Sequence, residues 1–282
     1  MKLVTFHADG ALHVGAVSGD TIVDLTAAGV AGSMIELIRL GGAGLDAARH
    51  AVADGGSRRP APLVTLAAPI PQPGKILCSG INYKGHAQEN PNAKMPTEPF
   101  FFAKLSTSVA GPEDEIRVPR QTQQMDYEVE FAAVIGLTLC RAEEAQVMPA
   151  IFGYTLLNDV SARDVQFTDN QITLGKNFDR FAPIGPCIVT ADELTQPDSV
   201  RLQTRLNGAT LQDGTTADWL FPLPRLISFL SHVMTLQPGD IVTTGTPAGV
   251  GVFRRPQVFM KPGDVVEIEA DGIGVLRNRI AA

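Results

Sequence analysis

One run of residues, Met125-Asp-Tyr-Glu-Val-Glu-Phe-Ala-Ala-Val-Ile-Gly136, restricts the possible folds more than any other. Phe131 to Ile135 are all apolar, so neither face of a strand built there is polar. Such a strand belongs inside a sheet that is covered on both sides. Glu128 and Glu130 are two residues apart and therefore share a face. Side by side on a buried strand, two carboxylates repel and are poorly solvated. Unless something positive stands between them, at least one keeps its proton. A divalent cation removes the conflict. The alternative is a strand end at the surface, with both carboxylates hydrated.

A third carboxylate favours the cation. Leu156-Leu-Asn-Asp159 ends an apolar run, and Ser161-Ala-Arg163-Asp164 reads as a capping box with Ser161 as N-cap. Arg163 and Gln166 share a face of the helix that follows. Three oxygen ligands, Glu128, Glu130 and Asp159, suit Mg²⁺, Mn²⁺ or Ca²⁺ better than Zn²⁺. Taken alone, Asp159 is equally a turn residue.

Two further segments carry chemistry. In Gly80-Ile-Asn82-Tyr-Lys-Gly-His86-Ala-Gln-Glu89-Asn90, a helix brings Glu89 within reach of His86, so the carboxylate orients the imidazole and raises its basicity. The plain alternative is an exposed helical pair. The Gly, Asn and Pro91 around it suggest a lid. In Gly175-Lys176-Asn177, ahead of a Pro/Gly-rich turn, an ammonium is placed to stabilise an oxyanion, or else it is a solvated loop lysine. His7, His13, His50 and His232 have ordinary structural explanations. The Gly-rich stretch Thr244-Gly245-Thr246-Pro247 lacks the Lys-Ser/Thr of a phosphate loop, and no GxGxxG follows a strand, so no nucleotide cofactor is expected. Its backbone amides and the Thr246 hydroxyl suit a carboxylate.

Composition narrows the class. The 282 residues are 44% hydrophobic with a net charge of −7, enough for a sizeable core and without the basic patch that nucleic acid or an anionic membrane requires. Gly and Pro make up about 17% of the chain against an average of about 12%, which implies many turns and a strand-rich fold. Cys78, Cys140 and Cys187 form no CxxC pair, which argues against disulfides and thiolate metal cages. With no signal-peptide pattern and no long apolar run, a cytoplasmic protein is expected.

Short strands at Leu3–Phe6, Leu12–Val17 and Thr21–Leu25 and helical stretches at Ser33–Leu40 and Gly44–Ala53 form a small N-terminal α+β domain, residues 1–68. Prolines 60, 62, 69, 71 and 73 stiffen the boundary. Residues 69–282 form a larger, mostly β domain. Its hairpins are marked by Asn207-Gly208 and Asp271-Gly272, and a helix is expected over Pro224–Leu236, with a stripe of Leu226, Ile227, Leu230, Val233 and Met234.

The set Asp126-Tyr-Glu128-x-Glu130, Asn158-Asp159-Val-Ser-Ala-Arg163-Asp-Val-Gln166, Gly175-Lys176-Asn177-Phe-Asp179 and Thr244-Gly245-Thr246-Pro-x-Gly249-Val-Gly251 resembles the fumarylacetoacetate hydrolase family in order and spacing, from about residue 70 to the end. The resemblance implies an α+β, mostly β fold with a distorted β-roll or barrel-like catalytic domain, commonly dimeric. It also implies one Mg²⁺ or Mn²⁺ on Glu128, Glu130 and Asp159, and small 2-oxo or 1,3-dicarbonyl acids as substrates. Members that cleave fumarylacetoacetate carry an additional Asp ligand where this chain has Asn82.

On this basis the leading expectation is hydrolysis of an acylpyruvate-like acid. Glu89 and His86 deprotonate a water, Lys176 stabilises the oxyanion, and Arg163, Gln166, Gly245 and Thr246 hold the substrate. Decarboxylation or keto–enol isomerisation at the same metal is the alternative, and a non-catalytic 2-oxo acid sensor is the rival from another class. Phe100–Phe102, Trp219–Phe221, Lys104, Arg180 and Arg254 are candidates for meeting the substrate's far end.

Overall fold

A computed structural model describes residues 1–89 and 95–282. The N-terminal meander consists of β1 (Lys2–Ala8), β2 (Ala11–Ser18) and β3 (Thr21–Asp24), and the first turn holds Asp9 and Gly10 at positive φ. The two helical stretches expected next merge into one element, α1 (Met34–Ala53). It is broken at Gly41, where φ of 58° and ψ of −133° put the residue outside helical space. The Ser33 side chain caps α1 by accepting from the Glu36 amide. Short strands β4 (Arg58–Pro60) and β5 (Leu66–Ala67) follow.

Next along the chain are β6 (Ile76–Ser79), α2 (Lys84–Glu89), β7 (Phe101–Lys104), β8 (Val109–Ala110), β9 (Glu115–Arg117) and β10 (Met125–Asp126). They lead into the interior strand β11 (Val129–Ile135), in which every residue is buried. Helix α3 (Glu144–Val147) precedes β12 (Ile151–Asn158), which is followed by β13 (Ser161–Ala162), α4 (Arg163–Phe167), α5 (Ile172–Lys176) and β14 (Ala182–Thr190). The C-terminal third supplies β15 (Arg201–Leu206), β16 (Ala209–Thr215), α6 (Leu223–Val233), β17 (Ile241–Thr243), β18 (Val265–Ala270) and β19 (Gly274–Ala281).

Among the described residues these strands form a twelve-stranded mixed sheet, a five-stranded sheet in the order β16-β15-β18-β19-β9, and the two-stranded pair β10-β13. The path through the large sheet is β4-β3-β2-β1-β14-β12-β11-β17-β6-β7, open at both ends, so the barrel-like expectation is realised as an unclosed, coiled sheet. Strand β1 pairs with β14 through Lys2↔Val189 and Leu3↔Ile188, and the sheet therefore runs unbroken across the boundary expected near residue 68.

β11 is apolar on both faces because both are covered. Val129, Phe131, Ala133 and Ile135 enter one core, whereas Ala132 and Val134 enter another with Ile76, Cys78, Leu157 and Ile184. On α6 the expected stripe is buried at Leu226, Ile227 and Leu230, but Val233, the last residue of the helix, is exposed. Both expected hairpins form: Asn207 and Gly208 at positive φ join β15 to β16, and Gly272 at positive φ lies between β18 and β19.

What matters for the site is how the central strands run. β12 and β17 flank β11 and are antiparallel to it, so the start of β11 lies beside the ends of both neighbours. β6 is parallel to β17 and ends at the same edge. Segments far apart in sequence thus converge on one place.

Candidate active site

The antiparallel pairing of β11 and β12 places Asp159 against Glu128, whose carbonyl accepts the Asp159 amide at 2.9 Å. Glu128 stands one residue before β11, Glu130 is its second residue, and Asp159 follows β12. All three are buried, and one oxygen from each lies within 4.8 Å of the other two. The surface alternative for the acidic pair is thereby excluded.

Cations close around the carboxylates. Arg163, first residue of α4, donates through Nε to Asp126 Oδ2 at 2.9 Å, through Nη1 to Gln166 Oε1 at 3.0 Å and through Nη2 to Glu128 Oε1. Lys176 Nζ, at the end of α5, donates to Glu128 Oε2 at 2.8 Å and Asp159 Oδ2 at 2.5 Å. Lys104 Nζ donates to Asp159 Oδ1 at 2.5 Å and to the Val160 carbonyl at 3.2 Å. Four carboxylates (Asp126, Glu128, Glu130, Asp159) thus face three buried cations.

The balance is uneven among the acids. Burial works to raise Glu128, but Arg163, Lys176 and His86 outweigh it and hold the carboxyl far below the usual range. Glu130 goes the other way: burial, with Asp159 and Glu128 beside it, pushes it well above that range. Its Oε2 is one of three buried side-chain polar atoms without a hydrogen-bond partner among the described residues. An all-oxygen donor set with an orphaned buried carboxylate oxygen fits a hard divalent cation.

Glu128 and Glu130 border a cleft of about 210 Å³, below the ~300–1,000 Å³ typical of drug-sized ligand sites. Glu128, Glu130, Arg163, Gln166, Lys176 and His86 line its polar side, and Phe100, Phe102, Phe167, Ile172 and Phe253 its apolar side. His86 Nδ1 is 2.8 Å from Glu89 Oε2, and Glu89 Oε1 accepts the Gly249 amide at 2.7 Å, so the dyad is anchored to the Gly-rich stretch after β17. The Phe253 ring stands 6.1 Å from the imidazole. Asn90 and Pro91 of the expected lid lie outside the described residues.

Other expectations need correction. Ser161 caps no helix: it is drawn into β13, pairs with Asp126 of β10, and its hydroxyl donates to the Asp159 carbonyl. Asp164 instead accepts from the Thr122 hydroxyl and the Gln123 amide. Thr246 lines the cleft as expected, with its hydroxyl donating to the Val129 carbonyl and accepting from Gln212 Nε2, both at 2.8 Å. Gly245, at φ of 80°, packs against the Gly80 carbonyl, which a Cβ would approach to 2.6 Å. Asn82 ties the Phe221 amide and the Thr244 carbonyl together and does not join the acidic group. Trp219 packs in the core against Phe131, while Arg180 and Arg254 bond the main-chain carbonyls of Glu115 and Leu211.

Three residues of the site carry roles that sequence reasoning missed. Lys104, a candidate for the substrate's far end, is instead a buried partner of Asp159. Asp126 anchors Arg163 and also accepts the amides of Gly251 and Val252. Gln212 of β16 accepts the Val129 amide and donates to Thr246 and to the Pro247 carbonyl. A lysine closing the aromatic run Phe100–Phe102 is the one signal that was available.

Comparisons with known proteins agree with this picture. The family model described as fumarylacetoacetate (FAA) hydrolase, C-terminal, matches residues 75–281. The mitochondrial oxaloacetate tautomerase Fahd2a of Rattus norvegicus is 40% identical over 287 residues, covering 99% of this chain and 91% of the relative. The structure of a fumarylacetoacetate hydrolase from psychrophilic Exiguobacterium antarcticum superposes with a TM-score of 0.88 at 36% identity, covering 100% of this chain and 99% of the other. Maleylpyruvate hydrolase from Sphingobium sp. SYK-6, solved in complex with manganese(II) and pyruvate, gives a TM-score of 0.83 at 33% identity, with 100% and 99% covered.

Proposed function

Because the chain belongs to the fumarylacetoacetate hydrolase family, we propose that it catalyses keto–enol exchange of a small 2-oxo acid of the oxaloacetate type. The observation that carries this reading is the His86–Glu89 pair, 2.8 Å apart, whose imidazole lines the same cleft as Glu128 and Glu130. Support also comes from the full-length similarity to an oxaloacetate tautomerase. The sequence-based preference for hydrolysis accordingly becomes the second reading.

Glu128, Glu130 and Asp159 would hold one divalent cation, Mg²⁺ or Mn²⁺. Bound there, it supplies Lewis acidity to the 2-oxo acid and makes the neighbouring C–H more acidic. With all four carboxylates ionised, three cations and a divalent ion would leave the buried cluster at +1, which favours an anionic substrate. Glu89 accepts the Nδ1 proton of His86 and leaves Nε2 as the basic nitrogen. That nitrogen removes a proton from C3 of the keto acid, the electron pair forms the C2–C3 double bond, and O2 takes up a proton as the enol forms. Lys176 faces the charge that develops on O2. Three of the five N–H groups of Arg163 are engaged with Asp126, Glu128 and Gln166, so it fixes the cleft wall, and its two remaining N–H groups and the Gln166 amide are left to meet the substrate.

The same imidazole can instead activate a water, and similarity to maleylpyruvate hydrolase favours that variant. The two are separated by following enol oxaloacetate in the ultraviolet and acetylpyruvate by proton NMR, with metal-stripped and Mg²⁺-loaded protein. Tautomerisation should be accelerated only with metal and fall about 10²–10⁴-fold in His86→Ala. If oxaloacetate converts at the buffer rate while acetylpyruvate yields acetate and pyruvate, the tautomerase reading fails and hydrolysis replaces it.

A further inference from the structure

Asp159 gives its two oxygens to two different lysines at equal distance, 2.5 Å from Lys104 Nζ to Oδ1 and 2.5 Å from Lys176 Nζ to Oδ2. Their surroundings differ. The Lys104 side chain is fully buried, reaches Asp159 from the end of β7 and places another proton on the Val160 carbonyl. Lys176 lines the cleft, and its Nζ stands 5.1 Å from the centroid of the Phe102 ring. Glu128 is divided in the same way: Oε1 is held by Arg163, itself anchored on Asp126, and Oε2 by Lys176. A single ammonium therefore bridges the oxygens that the two outer cations leave over.

We propose that Lys176 and the divalent cation compete for the inward oxygens of Glu128 and Asp159, while Lys104 and Arg163 keep the outward oxygens throughout. This rests on the metal reading given above. An ammonium on a flexible four-carbon stem can leave. Displaced from two carboxylates, Lys176 is still in the cleft beside the face of Phe102, which accommodates a cation, and its protons turn to the anionic oxygens of the substrate. Metal loading thereby releases the ammonium that the reaction uses. Lys104 cannot do the same, because withdrawal would leave a buried charge without a partner. Its function is positioning: it fixes the Asp159 carboxylate with Oδ2 directed inward.

The two lysines should then act on metal affinity with opposite sign. Metal-stripped protein is titrated with Mn²⁺, without substrate, and free Mn²⁺ is read by electron paramagnetic resonance. Lys176→Met removes a competitor and a like charge and should bind Mn²⁺ at least ~10-fold more tightly than the wild type. Lys104→Met loses the outer clamp and should bind ~10–100-fold more weakly. Near-UV circular dichroism establishes that each variant is folded, and Lys104→Gln replaces Lys104→Met if the latter is not. Tightening in both variants means that the cations act through charge alone, and weakening in both means that each merely orients a carboxylate. Either pattern overturns the proposal. A wild type that binds no Mn²⁺ overturns the metal reading itself, whereas binding with a parallel pattern overturns only the division of labour between the lysines.

Discussion

Two arrays of acid–base pairs in this molecule use the same residue types at similar distances. On the five-stranded sheet, Arg205 of β15 meets Glu267 and Glu269 of β18 at 3.4 and 2.6 Å, Arg277 of β19 meets Glu267 at 3.7 Å, and Arg201 meets Asp213 at 2.6 Å. These side chains are 23–54% exposed. At the start of β11, Arg163, Lys176 and Lys104 meet Asp126, Glu128 and Asp159 with exposures of 0–6%. Water screens the first array and lets each partner part from the other at little cost. It is excluded from the second, where a charge that loses its partner has nothing to turn to. The contact distances are therefore a poor guide to what a pair does; the solvent decides.

The contrast can be broken by mutation, and the largest effect belongs to the interior. Arg163→Met leaves Asp126 and Glu128 without their shared guanidinium and should destabilise the protein by about 3–5 kcal/mol in urea unfolding. A loss below 1 kcal/mol would place the cluster on the same footing as the surface pairs. An intermediate case is Asp24, buried at the end of β3. Burial alone would raise its carboxyl, but the Ala27 amide, His13 and Arg59 outweigh that and hold it below the ordinary value. Its contribution is complete above about pH 4, the range of an unfolded Asp, and is lost as the pH falls through the lower folded value. Asp24→Asn should thus lower stability at neutral pH and flatten the acid limb of the stability curve; an unchanged limb would remove Asp24 from that account. The smallest effect is expected on the ladder, where Arg205→Ala should cost no more than about 1 kcal/mol and less still in high salt.

How far the sequence reaches follows from the same distinction. The arginine side of the ladder is legible in the alternation Arg201-x-Gln203-x-Arg205, because a half-exposed strand writes its period into the chain. β11 and its acidic pair were visible for the opposite reason: an unbroken apolar run makes any carboxylate beside it conspicuous. Lys104 is legible only as a possible substrate contact, because its partner Asp159 lies 55 residues away and nothing beside the lysine points to it. Gln212 sits in an alternating strand and shows its role only once β16 lies beside β11 and the segment after β17. The expected cap at Ser161 failed because β10 offered that segment a strand partner, and local capping lost to sheet pairing.

The order of the central strands has a consequence for synthesis. β17 fills the gap between β11 and β6, yet its residues 241–243 leave the ribosome long after both neighbours. Until then β6 and β11, apolar on both faces, each wait with an edge open to any other extended chain. The nascent protein therefore carries its most aggregation-prone surface at its own centre for most of its translation, and the step that covers this surface also brings the Gly-rich segment up to Glu89. A pause or truncation shortly before residue 241 should yield insoluble chain, and a shielding chaperone is needed most during that interval.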